Sequence, residues 1–215
     1  MEKFEMEMNK ISKELEVLMG NLEEIMDITL SSLVNIDIMG INKIKEMDIM
    51  IYHKTKELET RCVNLILLYS PVAKDLRRLI TTMKILMDID RIGRYSYDIS
   101  LFIPRFYEKG HLGKPEIIPK MVDQTKKMVR IAIKSFIEEN ADIAESLQKE
   151  DDLVDDLFDK LENEIIEYVK SDINNLERGI GYMLIGKYLE RMADHAVNIG
   201  DNVIYLIKGE KVIKL

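Results

Sequence analysis

The chain of 215 residues carries 31 Lys and Arg against 39 Asp and Glu, a formal net charge of −8 that argues against a general nucleic-acid binder, whose phosphate contacts need a basic surface. Cys62 is its one cysteine, so no intramolecular disulfide can form. Because the sequence has neither an apolar run of membrane-spanning length nor a signal-peptide pattern, we expect a cytoplasmic protein. The four prolines and ten glycines, with no Trp, favour long helices over strands and turns.

The first half of the sequence predicts three helices. In the first, apolar residues recur at alternating steps of four and three, which gives a helix one buried face. These residues are Phe4, Met8, Ile11, Leu15, Leu18, Leu22 and Ile25. A second helix is predicted over about 48–69. Ser70-Pro71 then offers an N-cap with proline at the first helical position, which predicts a third helix running to about residue 103.

The second half repeats this plan after a linker, residues 107–119, that is rich in proline and glycine. Asn140 to Asp142 offers a cap between the first two helices of this half, and Ser171-Asp172 offers one before the last. The predicted helices cover about 120–139, 143–170 and 173–207. Short connections imply that successive helices pack antiparallel to each other.

An internal repeat supports the same organisation. Residues 190–199 read ERMADHAVNI, and residues 90–99, one hundred positions earlier, read DRIGRYSYDI. We therefore predict an all-α fold of two tandem three-helix bundles, residues 1–106 and 120–215, with six long antiparallel helices.

Four acids of the second half are predicted to converge between two helices: Asp151, Asp155, Glu190 and Asp194. Counted from the turn at Ser171-Asp172, Asp155 and Glu190 lie about 17 and 18 residues away, and Asp151 and Asp194 about 21 and 22, so each pair is level. All four follow stripes that are otherwise mostly apolar, where carboxylates need cations or basic partners. Such an oxygen-rich set is typical of sites for hard or borderline divalent cations.

The same construction gives a weaker site in the first half. It places Asp48 level with Arg94 and Tyr52 level with Asp90, so two of the four expected acids are absent. Arg94 can then give Asp48 or Asp90 a charge-assisted hydrogen bond and stand where a cation would otherwise bind. We assign Asp48, Asp90, Arg94 and Asp98 to a weaker metal or ion-pair site.

Plainer interpretations remain open for these residues. An isolated pair of acids four residues apart is most often a solvated helix face, and a structural bundle could neutralise its buried acids with Arg and Lys. Arg91 and Arg191 are expected to form surface ion pairs, and His195 to have a polar or capping role. Metal analysis of the pure protein separates the metal site from a purely structural bundle.

A second alternative is an enzyme or iron store of the di-iron, ferritin-like class. Those bundles use a Glu followed three residues later by a His on their helices. Here that spacing occurs at Glu108 and His111, inside the predicted linker. No nucleophile–base pair and no Gly-rich phosphate loop is present in the sequence either, so we expect a protein that is not an enzyme.

Three segments of the chain resemble the PhoU family of phosphate-uptake regulators. They are PVAKDLR at 71–77, DRIG at 90–93 and ERMADHAVNI at 190–199. The resemblance implies two three-helix bundles side by side whose paired acidic motifs bind metal, often iron, with manganese, magnesium and zinc also open. It places metal ligands on Asp151, Asp155, Glu190 and Asp194, whereas Tyr52 and Arg94 depart from the family pattern in the first motif pair.

The resemblance also implies a function without catalysis. Family members act with the phosphate ABC transporter and, in many bacteria, with a sensor histidine kinase. For this chain we expect a negative regulator of phosphate uptake that binds the transporter's ATPase subunit, and a sensor kinase as a second candidate partner. Membrane association is expected through the partner only, and a homodimer is left open. The departure in the first half leaves room for a regulator of another ion transporter.

Overall fold

In the computed structural model, residues 2–113 and 116–209 are described, and all regular structure among them is helical. The helices are α1 (Glu2–Asn35), α2 (Gly40–Tyr69), α3 (Ala73–Ser100), α4 (Ile117–Ile137), the short α5 (Ala141–Glu145), α6 (Leu147–Ser171) and α7 (Leu176–Lys208), with 3₁₀ turns at Ile103–Phe106 and Ile173–Asn175. The predicted all-α fold with six long helices is confirmed. Residues 114–115 of the predicted linker, and the predicted bundle ends at residue 1 and residues 210–215, lie outside the described residues.

The apolar stripe predicted for α1 is buried along its whole length. Phe4 and Ile25 mark its ends at 5% and 0% exposure, and the five residues between them are at most 1% exposed. Cys62 of α2 is also fully buried. No helix in the described part of the chain is long and apolar enough to cross a membrane.

The predicted start of α2, near residue 48, is wrong, because the helix begins at Gly40. A tight turn makes the early start possible: Ile36 adopts φ 52°, and Asp37 Oδ1 accepts a hydrogen bond from the Met39 N–H at 2.9 Å. Glycine at position 40 lets the turn pack closely on α1, since a Cβ on it would lie 2.0 Å from Ser32 Oγ and 3.0 Å from Ser32 Cβ.

The predicted N-cap at Ser70-Pro71 is also wrong. Ser70 ends α2 instead, in the left-handed conformation with φ 44°, and its N–H donates to the Ile66 carbonyl at 3.0 Å. Val72, in an extended conformation, precedes α3 without a side-chain cap. The predicted cap before α5 is present, because Asn140 Oδ1 accepts hydrogen bonds from the N–H groups of residues 142 and 143.

The segment between the halves is held against the second half. Arg178 of α7 donates hydrogen bonds to the carbonyls of Lys109, at 2.8 Å, and Gly110, at 3.3 Å. Gly113 packs so close to Tyr168 that a Cβ would lie 1.8 Å from the phenol oxygen. Glycine is therefore the residue that fits at this position, where φ is also +57°.

The two halves share one continuous hydrophobic core. Helix α3 packs on α1, α2 and α7, and α7 packs on α3, α4 and α6, so these two helices form the central pair. A second contact between the halves joins α1 to α4, where Arg130 donates to both carboxylate oxygens of Glu23, at 2.9 and 2.7 Å. We use "α3–α7 seam" below for the line along which the central pair meets.

Candidate functional site

Close packing of α6 on α7 positions the four acids predicted in the second half. A Cβ on Gly186 would lie 2.5 Å from Leu161 Cδ2, and a Cβ on Gly200 would lie 2.6 Å from Leu147 Cδ1. These contacts run in opposite directions along the two helices, so α6 and α7 are antiparallel. Positions 155 and 190 are nearly level in this register, as the sequence predicted.

Asp155 lies among other carboxylates. Loss of hydration raises the pKa of Asp155 above its ordinary range, and the negative charges of Glu190 and Asp194 raise that pKa further. Like charges oppose ionisation when they are close, so the effect places Asp155, Glu190 and Asp194 within electrostatic reach of each other. Asp151 is half-buried one turn before Asp155 on α6.

Lys187 is a member of this site whose role the sequence analysis missed. Its ammonium lies 2.6 and 2.7 Å from the two carboxylate oxygens of Glu190 and 5.6 Å from the centre of the Phe158 ring. The signal for it was the spacing of three residues between Lys187 and Glu190, which puts oppositely charged side chains on one helix face.

Among the described residues, no group of three or more His, Cys, Asp or Glu side chains is arranged to hold a metal ion. Metal binding by Asp151, Asp155, Glu190 and Asp194 stays a prediction. The donor chemistry fits a hard cation, because carboxylate oxygens are the preferred ligands of such ions and because loss of hydration and the neighbouring carboxylates Glu190 and Asp194 raise the pKa of Asp155.

The weaker site of the first half is organised around Arg94. Asp48 is buried, and its Oδ2 accepts a hydrogen bond from Arg94 Nη1 at 2.9 Å. Arg94 Nε lies 3.6 Å from Asp98 Oδ1, and the guanidinium lies 5.1 Å from the centre of the Tyr97 ring. A fixed positive charge from the protein itself thus lies between Asp48 and Asp98.

Asp90 stands apart from that ion pair. Burial raises the pKa of Asp90, the charge of Lys56 opposes this change, and the charge of Asp48 adds to it. Tyr52, which replaces an expected acid, is exposed, and Lys56 Nζ lies 6.0 Å from the centre of its ring. The first half therefore has Asp48, Tyr52, Asp90 and Arg94 at the positions that correspond to the four acids of the second half, and Lys56 lies nearby.

The internal repeat meets itself along the α3–α7 seam. The Tyr95 and Tyr188 rings are 5.4 Å apart, and His195 Nδ1 lies 2.8 Å from Asp88 Oδ1. The two repeats are offset by one hundred residues, so positions 88 and 188 correspond, as do 95 and 195. Position 95 contacts position 188, and position 195 contacts position 88, so the two contacts are equivalent. His195 thus has the polar role that the sequence favoured over metal binding.

Neither residue of the Glu108–His111 spacing sits in a bundle core as a di-iron ligand would. Glu108 is exposed, whereas the His111 ring is hydrogen-bonded on one side to the Tyr182 hydroxyl and on the other to the Val34 carbonyl, at 3.0 Å. His111 therefore fixes the segment between the halves to both of them.

The surface ion pairs expected for Arg91 and Arg191 are not found within the described part of the chain. Both side chains are exposed, and neither makes an ion pair or a side-chain hydrogen bond with any residue in 2–113 or 116–209. Two acids near them on the same helices have other partners: Asp88 is bound to His195, and Glu190 to Lys187.

A family model, related protein sequences and solved structures all identify the same family. The family model of the PhoU domain matches this chain twice, at residues 15–103 and 118–203. The "Phosphate-specific transport system accessory protein PhoU homolog" of Clostridium acetobutylicum is 33% identical over 156 residues, which span 72% of this chain and 71% of that protein. PhoU homolog 1 of Thermotoga maritima is 34% identical over 158 residues, 72% of this chain and 67% of that protein.

Solved structures of this family share the fold over almost the entire chain. PhoU from Pseudomonas aeruginosa superposes with a TM-score of 0.89 at 27% identity, covering 96% of this chain and 100% of that one. The phosphate transport system regulatory protein PhoU from Streptococcus pneumoniae superposes with a TM-score of 0.90 at 26% identity, covering 98% of this chain and 100% of that one.

Proposed function

This chain belongs to the PhoU family, and we propose that it is a non-enzymatic accessory protein that regulates a phosphate-specific transport system. The observation that carries the proposal is the double match of the PhoU domain, at residues 15–103 and 118–203, together with a fold shared with PhoU structures over nearly the whole chain. The names of the curated relatives supply the transport system.

The finer part of the proposal concerns how the protein acts. It restrains phosphate uptake by binding the ATPase subunit of the phosphate transporter in the cytoplasm, and a sensor kinase is the second candidate partner. The predominantly acidic chain, with a net charge of −8, suits a basic patch on such a partner, since charge complementarity speeds encounter and selects partners.

Metal binding is part of the proposal for the second half. Asp151, Asp155, Glu190 and Asp194 would hold a divalent or ferric ion, and the raised pKa of Asp155 supports a place for positive charge there. The ion would supply charge neutralisation between α6 and α7. Lys187 would have to release Glu190 first, because its ammonium now contacts both oxygens of that carboxylate.

Elemental analysis and titration calorimetry test the metal site. Glu190→Gln with Asp194→Asn should abolish binding of Fe, Mn, Mg or Zn ions to the pure protein. Asp156→Asn with Glu177→Gln removes the same negative charge from exposed positions of α6 and α7 and should leave binding intact. Unchanged binding in the first double variant would exclude this ligand set.

Arg94→Asp tests the weaker site. This change replaces the guanidinium between Asp48 and Asp98 by a third carboxylate and should create new metal capacity in the first half. An unchanged metal-to-protein ratio would show that the arginine does not take the place of a cation.

A gene deletion tests the function itself. Loss of the protein should raise phosphate uptake in phosphate-replete cells, and a tagged copy of the chain should recover the transporter's ATPase subunit. Unchanged phosphate uptake, with recovery of a subunit from a different ion transporter, would keep the family assignment and overturn the assignment to phosphate.

A further inference from the structure

The α3–α7 seam presents two exposed arginines that make no ion pair or side-chain hydrogen bond with any described residue. Arg91 lies between Asp88 and Tyr95 on α3, and both of those residues contact α7. Arg191 has the same position on α7, between Tyr188 and His195, both of which contact α3. The two arginines therefore lie in the same stretch of the seam, on its solvent side.

Two of the acids near these arginines have partners elsewhere in the protein. Asp88 is bound to His195, and Asp98 lies 3.6 Å from Arg94. Arg91 lowers the pKa of the adjacent Asp90 by its charge without forming an ion pair with it. Because neither arginine has an ion pair among the described residues, an anionic group from outside the protein could pair with each of them.

Apolar side chains extend the same surface in both directions. Met87, one turn before Arg91, is 60% exposed, and Leu184, two turns before Arg191, is 40% exposed. Because α3 and α7 are antiparallel, these two residues flank the arginines along the seam, about 12 residues or roughly 18 Å apart in helix length. Met and Arg are enriched in protein interfaces, and Arg is frequent among the residues that dominate binding energy.

We propose that this surface, Met87, Arg91, Leu184 and Arg191, is a docking site for an acidic amphipathic helix of a partner protein. The occupant follows from charge complementarity and from length. Carboxylates of the partner would pair with the two guanidiniums, and its apolar residues would cover the Met and Leu side chains at either end. A helix of about three turns spans that distance. The inference goes beyond the proposed function and holds whichever transport system the protein serves.

Photocrosslinking in cells identifies the partner segment. A photoreactive phenylalanine analogue is placed at Met87 or at Leu184 of the full chain, and the crosslinked peptide is sequenced. We expect both positions to crosslink to one segment of another protein that carries at least two Asp or Glu residues. Adducts between two copies of this chain, adducts to a segment without acids, or no protein adduct at either position would each overturn the proposal.

Charge reversal then tests the arginines with that segment as a synthetic peptide. Arg91→Glu with Arg191→Glu should weaken binding at least about tenfold, as loss of paired charges at an interface does. Lys45→Glu with Lys160→Glu makes the same charge change at exposed lysines of α2 and α6, outside the proposed surface, and should change affinity less than about twofold, because salt screens charges that make no direct contact. Equal losses in the two variants would overturn the proposal.

Two further measurements separate docking from a folding effect. The melting temperature of the Arg91→Glu, Arg191→Glu variant should stay within about 2 °C of the parent, because both side chains are exposed and make no ion pair or side-chain hydrogen bond within residues 2–113 and 116–209. Replacing the peptide's carboxylates by Lys should restore its binding to this variant. Failure of the charge-swapped pair to bind would show that the contact is not made through these arginines.

Discussion

Removal of the Arg94 side chain charge should destabilise the protein by a measurable amount. The Asp48 side chain is 7% exposed and receives the Arg94 hydrogen bond at 2.9 Å, whereas the Arg94 side chain is 51% exposed. Breaking a fully buried ion pair costs about 3–5 kcal/mol, and losing an exposed one costs about 0–1 kcal/mol. Because water can partly replace the guanidinium, we expect Arg94→Met to lower the free energy of unfolding by about 1–2 kcal/mol.

Urea denaturation and thermal unfolding in EDTA measure this loss. For a chain of this size it corresponds to a fall in melting temperature of about 2–8 °C. Asp48→Asn in the Arg94→Met background should recover part of the loss, since it removes the unpaired buried charge, and the double-mutant cycle should give a coupling of about 1 kcal/mol.

Arg130→Met provides the matched control. Arg130 makes two hydrogen bonds to Glu23 at 2.9 and 2.7 Å, but its side chain is 56% exposed, so its loss should cost less than about 1 kcal/mol. If Arg94→Met proves no more costly than Arg130→Met, or if the cycle shows no coupling to Asp48, the reasoning from burial is wrong.

Three more outcomes follow from the structure. Gly20→Ala should stabilise the protein by about 0.5–1 kcal/mol, because a Cβ at this position meets nothing within 4 Å. Gly186→Ala should destabilise it by about 1–3 kcal/mol, because its Cβ would lie 2.5 Å from a buried side chain of α6. Urea denaturation of the two variants measures both changes. A raised pKa means that ionised Asp155 destabilises the folded state, so in the absence of metal Asp155→Asn should raise the melting temperature at neutral pH. This gain should disappear as the pH falls from the pKa of Asp155 in the folded protein towards the ordinary pKa of an aspartate. An unchanged melting temperature at neutral pH would contradict this prediction. Burial raises the pKa of Cys62 to about 12, so a thiol-specific disulfide reagent should label it only after unfolding, and rapid labelling of the native protein would refute its burial.

The sequence by itself determined the number of long helices, the buried face of α1 and the register of α6 against α7. Seven apolar residues at steps of three and four fixed the buried face of α1, because burying such a stripe is the main gain available to an amphipathic helix. Counting residues from the turn at Ser171-Asp172 also placed Asp155 near the level of Glu190, since the rise of a helix is constant. Local turn chemistry was less certain: Asn140 caps a helix as predicted, whereas Ser70 ends one.

Only the tertiary structure decided how each charge is partnered. The sequence offered Arg94 to Asp48 or Asp90, and the packing of α3 on α2 selected Asp48. It paired His195 with Asp88 across the α3–α7 seam and left Arg91 and Arg191 without ion pairs among the described residues. The physical reason is distance: helical periodicity fixes the face on which a charge lies, but ion pairs act over a few ångströms and depend on which helices become neighbours.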